Sequence, residues 1–133
     1  MRLPSLGGQL CYAPAMKILF RIGTAALIAA VVFATLGPAR YRPHSPLGQD
    51  GEHALAFVLV GLSVGLSFPR RRWRVAAMVI VLIGVLELMQ LWAPGRHARL
   101  EDFLVDAAAA CLGLVGAAAI GWLTARLRGA RSR

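Results

Sequence analysis

The sequence predicts an all-α fold, a transmembrane four-helix bundle with both termini cytoplasmic. Three observations carry this. Of the 133 residues, 58% are hydrophobic, too apolar for a soluble domain of this size. Four apolar runs are separated by short connections containing proline, glycine or arginine. The basic residues crowd into alternate connections, the bias that orients membrane segments. The chain has room for one domain and divides into a lead (1–16), a membrane domain (17–125) and a basic cytoplasmic tail (126–133).

Met1 to Met16 carry proline, glycine and serine without a sustained period and read as a disordered lead. Met16-Lys17, directly before an apolar run, has the form of an alternative start. Ile18 to Gly37 is the first span, about 30 Å if helical. Arg21 lies one turn inside it and can snorkel to the interface. A cleaved signal peptide is the rival reading of this run, although Gly37-Pro38-Ala39-Arg40 makes a poor small-x-small cleavage site. Ala39 to Asp50, with Pro43, Pro46 and Gly48, is a loop.

The second segment is the shortest. Its uncharged part, Ala54 to Phe68, spans a bilayer only if the helix extends back through Glu52 and His53 with both side chains facing protein or the interface. Pro69 ends it, and Arg70, Arg71, Arg72 and Arg74 make the next connection. Val75 to Trp92 is the third span, stopped by Pro94-Gly95, and Phe103 to Leu123 is the fourth.

Eleven of the fifteen basic residues fall on the side of the termini and the Arg70 cluster, and four (Arg40, Arg42, Arg96 and Arg99) on the other. The positive-inside bias therefore places both termini in the cytoplasm. All six acids, and His44, His53 and His97, then lie on or near the outer side. A net charge of +9 does not indicate nucleic acid, because the arginines sit between apolar runs rather than on a folded polar face beside stacking or groove-reading elements. The two cysteines, Cys11 in the lead and Cys111 in the last span, have neither disulfide nor metal-ligand spacing and read as small semi-buried residues.

The stretch from Glu87 to Asp106 holds four of the six acids. A carboxylate at the centre of a spanning helix costs about 2.5–3.5 kcal/mol on insertion scales, so Glu87 is a candidate functional residue. Gln90 shares its face at i+3. Asp102 and Asp106 are one turn apart at the start of the fourth helix, where the free N–H groups and the dipole favour carboxylates. From Asp106 the steps to Ala110, Gly113, Ala117 and Gly121 form a stripe of small residues, the pattern of closely packed membrane helices. His53, Phe57, Gly61 and Gly65 form a similar stripe on the second segment. His53, Glu87, Gln90, Asp102 and Asp106 are therefore expected to converge near the outer boundary. Arg96 folds back after Pro94-Gly95 to hold a carboxylate through its guanidinium fork.

In the structural alternative, Glu87 and Arg96 form an ion pair that fixes the hairpin, Asp102 caps a helix and His53 is an interfacial histidine. A desolvated carboxylate near a histidine could instead do general acid–base work, but no serine or cysteine stands where a nucleophile is wanted. No spacing marks a metal site, and no cofactor is expected.

At these residues the chain resembles the VanZ-like family of small bacterial membrane proteins. The resemblance rests on Glu52-His53-x-x-x-Phe57, Phe68-Pro69-x-Arg71, Glu87-x-x-Gln90, Pro94-x-Arg96, Asp102 and Gly113-x-x-Gly116, and covers roughly residues 50–116. It departs at Asp106, where the family's usual residue is asparagine. The resemblance implies a multi-span protein of the bacterial inner membrane. The family's namesake is associated with low-level resistance to the glycopeptide teicoplanin, with no established biochemical activity.

Three expectations follow for function. The first is an envelope protein that binds membrane lipid or a lipid-linked or cell-wall-precursor head group at a polar outer site, or contributes to glycopeptide tolerance. The second is an intramembrane enzyme with Glu87 and His53 as acid and base and Arg96 holding an anionic group. The third is a structural subunit of a membrane complex.

Overall fold

A computed structural model of the chain describes residues 7–37, 48–92 and 99–131. It contains four helices: α1 (Gly7–Leu36), α2 (Gly48–Ser67), α3 (Arg72–Gln90) and α4 (Leu100–Arg131). Consecutive helices run antiparallel. Thr24 near the middle of α1 meets Ser63 and Ser67 near the end of α2, and Arg72 at the start of α3 lies against Gly121 far along α4.

Helix limits differ from the sequence reading at both ends of the chain. α1 begins at Gly7 and runs through Pro14, flanked by the strong helix formers Ala13, Ala15 and Met16. α4 starts one turn before Phe103 and continues through the arginines to Arg131. α2 begins at Gly48, whose φ of +72° suits glycine alone at low cost. It stops at Ser67, two residues before Pro69.

Among the described residues, three segments are long and apolar enough to cross a bilayer: Lys17–Leu36, Arg72–Gln90 and Leu100–Leu127. The apolar part of α2, Gly51–Ser67, is shorter. That helix is also the most enclosed. Its residues Phe57, Val60, Gly61, Val64 and Gly65 are buried, mostly against α4, with which it runs parallel.

The α2–α4 contact explains the glycine pattern. A Cβ on Gly61 would collide with the main-chain carbonyl of Ala110, and one on Gly113 with the carbonyl of Val58. On Gly65 it would come within 2.6 Å of the Ala117 Cβ. Lipid tails are as apolar as leucine, so helices in a membrane associate through such close van der Waals contact rather than through a hydrophobic drive. Gly61-x-x-x-Gly65 is thus used within the chain, against α4.

α1 packs on α2 and α3, and α3 on α4. The Thr24 hydroxyl donates to the Phe20 carbonyl at 2.9 Å and lies 2.6 and 2.8 Å from the Ser63 and Ser67 hydroxyls, which can donate to it. One threonine therefore ties α1 to α2. The core between the helices comprises Val31, Phe57, Val60, Val64, Val79, Ile83, Leu86, Ala109 and Ala110. Outside it, Ile22, Phe33, Met78, Leu112, Val115 and Leu127 are exposed, as side chains meeting acyl chains must be.

The tryptophans bracket the apolar layer. Trp73, in the first turn of α3, is 82% exposed, and Trp92, two residues past its end, is 80% exposed. The 19 residues of α3 rise about 28 Å, close to the ~30 Å of a hydrocarbon core. Aromatic rings at both ends of one span match the interfacial belts of membrane proteins.

Candidate functional site

Among the described residues, four of the five buried polar side chains lie at the Trp92 end of the bundle. Thr35 is 2% exposed, Glu87 8%, Gln90 8% and Asp106 7%. Each stands one turn outward from a buried core residue on its own helix: Thr35 from Val31, Glu87 from Ile83, Gln90 from Leu86, and Asp106 from Ala110. α1 and α3 run toward this end and α4 away from it, so the offset is four residues forward on the first two and four back on the third. Three helices thus replace their apolar layer with a polar one about 6 Å further out. α2 follows the same rule, with partly exposed His53 one turn outward from Phe57, their ring centroids 6.4 Å apart.

Glu87 is anchored. Its Oε1 accepts a hydrogen bond from the main-chain N–H of Arg99 at 2.7 Å. Arg99 is the residue at which α4 begins to turn, since its carbonyl accepts from the N–H groups of Asp102 and Phe103. Glu87 therefore does from α3 what the acidic residue of a capping box does from within a helix: it satisfies the N–H of the capping position. The carboxylate also faces the positive end of the α4 dipole, which Glu101 and Asp102 share in the first turn. Asp102 is thus a first-turn residue and not the cap, contrary to the structural alternative drawn from sequence. The helix starts earlier than expected because Glu87 supplies the missing acceptor.

Below this bond an open apolar groove of about 480 Å³ runs between α3 and α4. Val81, Gly84, Val85 and Leu88 form one wall, and Leu100 and Phe103 the other. Glu87 and Arg99 close its outer end. Glu87 lies five residues before Trp92, about 7 Å inside the level of that ring. The groove thus has apolar walls and a carboxylate at its head, and its volume is in the range of ligand sites.

Among the residues predicted from sequence, Glu87, Gln90 and Asp106 are buried at this end, Asp102 and His53 are half-buried there, and Arg96 lies outside the described residues together with Pro94, Gly95 and His97. Asp106 occupies the stripe that packs on α2, one turn before Ala110.

Two participants have no counterpart in the sequence reading. The Arg99 N–H is a main-chain donor and carries no residue signature. Thr35 was legible in principle, since it follows Thr24 by eleven residues, three turns, and so shares its buried face. Its hydroxyl is buried with no hydrogen-bond partner among the described residues. No group of three or more His, Cys, Asp or Glu among the described residues is placed to hold a metal ion.

A sequence model of the family described as VanZ/LLP1 matches residues 14–123, a span that takes in α2 and α3 entire and most of α1 and α4. No curated protein and no solved structure matches the chain.

Proposed function

The chain belongs to the VanZ/LLP1 family, and from that premise we propose that it is an envelope protein of the bacterial inner membrane that binds a lipid-linked ligand in the α3–α4 groove. The hydrocarbon part lies along Val81, Val85, Leu88 and Phe103, and the polar head reaches Glu87 and Arg99. One observation carries this reading: a buried carboxylate stands at the head of an open apolar groove, just inside the interfacial tryptophan. An ionised carboxylate offers about four acceptor sites, so the bond from Arg99 leaves capacity for hydroxyl or amino donors of a head group. Arg99, exposed at the rim, supplies a cation for an anionic substituent. The basic end faces the cytoplasm in this reading, which puts the groove's head at the outer leaflet.

The test is the lipid that stays with the purified protein, identified and quantified by mass spectrometry. Gly84→Leu fills the groove without removing a charged group, and Glu87→Gln keeps the shape while removing the charge. The proposal predicts a polar lipid species enriched on the wild type and depleted in both variants. Equal lipid content in all three contradicts it.

A second reading rests on the same Glu87–Arg99 bond. That bond closes the α3–α4 hairpin, so the carboxylate serves as a clamp and the chain as a structural partner in a membrane complex. Under this reading Glu87→Gln, which keeps an acceptor, preserves phenotype and protein level together. The intramembrane acid–base enzyme is favoured by no comparable observation.

A further inference from the structure

We propose that the end of the bundle opposite Glu87 carries a second, independent site, in which Arg72 and Arg126 hold the phosphate of an anionic membrane lipid against α3 and α4. Charge compensation gives the first reason. Arg21, Arg70, Arg71, Arg72, Arg74 and Arg126 gather at this end, and all six acidic residues lie at the other. Along α3 the acid nearest to Arg72 is Glu87, fifteen residues or about 22 Å away. Along α4 the acid nearest to Arg126 is Asp106, twenty residues or about 30 Å away. Among the described residues no acidic side chain lies at this end of the bundle.

Arg72 is nevertheless fixed in place. Its guanidinium lies over Gly121, where an added Cβ would come within 2.7 Å of the terminal nitrogen. Gly121 thus leaves the space the group occupies. The Nε atom is buried and has no hydrogen-bond acceptor among the described residues. A buried guanidinium N–H without an acceptor is costly, and a phosphate oxygen suits the planar fork to which that N–H belongs.

Trp122, the residue after Gly121, is exposed and carries the Arg126 guanidinium 4.3 Å from its ring centroid, a second cation at this end of α4. α3 adds main-chain donors, because its N-terminus has no side-chain cap and no acid in the first turn. The exposed ring of Trp73 marks the level as interfacial, where lipid phosphates lie. Basic pockets between membrane helices on the cytoplasmic side suit such head groups.

The test uses the full chain, delipidated in detergent and exposed to phosphatidylglycerol or phosphatidylcholine, with bound lipid counted by native mass spectrometry. The wild type is expected to retain the anionic lipid in preference to the zwitterionic one, and millimolar inorganic phosphate is expected not to displace it. Arg72→Gln and Arg126→Gln are each expected to lower retention about tenfold, the scale of one charge-assisted hydrogen bond. Gly121→Ala, which moves the Arg72 guanidinium without changing the charge, is expected to do the same. Arg70→Gln removes an equal charge from an exposed position and is expected to change retention by less than about twofold.

Helicity and elution volume are checked for every variant, and Arg126→Gln keeps the test open if substitution at Arg72 disturbs folding. Equal loss in Arg70→Gln and Arg72→Gln, wild-type retention in Gly121→Ala, equal binding of the two lipids, or displacement by phosphate overturns the proposal. None of these outcomes bears on the groove at Glu87, which lies at the opposite end of α3.

Discussion

The Glu87 carboxylate accepts a hydrogen bond from the main-chain N–H of Arg99, 2.7 Å away across the connection between α3 and α4. The bond joins the last turn of one helix to the start of the next, at the head of the apolar groove. Glu87→Ala removes the acceptor and is expected to cost about 1.5–3 kcal/mol. Glu87→Gln keeps a carbonyl acceptor in place and is expected to cost about half as much. Thermal unfolding of both variants in detergent checks the order; an alanine variant as stable as the wild type contradicts the anchoring role.

Glycines on the α2–α4 contact and glycines elsewhere should behave oppositely. Gly61→Ala and Gly113→Ala each drive a Cβ into the backbone of the facing helix, and neither backbone can yield cheaply. Both are expected to lower the melting temperature and the amount of protein recovered from membranes. Gly23 has nothing within 4 Å of an added Cβ, so Gly23→Ala is expected to be neutral or to stabilise by about 0.5–1 kcal/mol. Equal effects at Gly23 and Gly61 would remove close helix contact as the explanation.

The two buried threonines of α1 make a sharper pair. Thr24 is bonded to α2 through Ser63 and Ser67, whereas the Thr35 hydroxyl has no partner among the described residues. Thr24→Val is expected to destabilise by about 0.6–1.7 kcal/mol, the range for hydrogen bonds between membrane helices. Thr35→Val should leave stability unchanged or raise it, because an unsatisfied buried hydroxyl is replaced by a methyl group. A loss of stability at Thr35 equal to that at Thr24 would show that Thr35 is hydrogen-bonded.

Orientation follows from charge and is open to labelling from outside the cell. In a chain lacking Cys11 and Cys111, Trp92→Cys is expected to react with a membrane-impermeant maleimide and Trp73→Cys to react only after the membrane is opened. The reverse pattern places the arginine-rich end outside and overturns the proposed topology.

Much of this architecture was legible in the residues because membrane helices announce themselves by length and small-residue spacing. The stripe through Ala110, Gly113 and Ala117 marks the face of α4 that meets α2, and Pro69 marks the end of α2. The partner of Gly61-x-x-x-Gly65 was not legible, since the spacing says that a helix approaches and not which one. The candidate site divides in the same way. A carboxylate inside an apolar run singles out Glu87, and the sequence then offers Arg96 as its partner because a guanidinium is a visible residue type. Arg96 lies outside the described residues, and the bond seen at Glu87 comes from a main-chain N–H, which every residue but proline possesses. The first span was legible almost to the residue, whereas the continuation of α1 back to Gly7 through Pro14, and of α4 out to Arg131, lies in polar or proline-containing sequence that carries no membrane signal.

The most direct test of the central claim is photo-cross-linking in living cells from a benzophenone side chain placed at Val85, inside the groove, and at Leu112, exposed on α4 away from it. The account predicts that position 85 captures a lipid bearing a polar head group that position 112 does not, and that Glu87→Gln abolishes the difference. Identical bulk lipid at both positions, unaffected by Glu87→Gln, would contradict it.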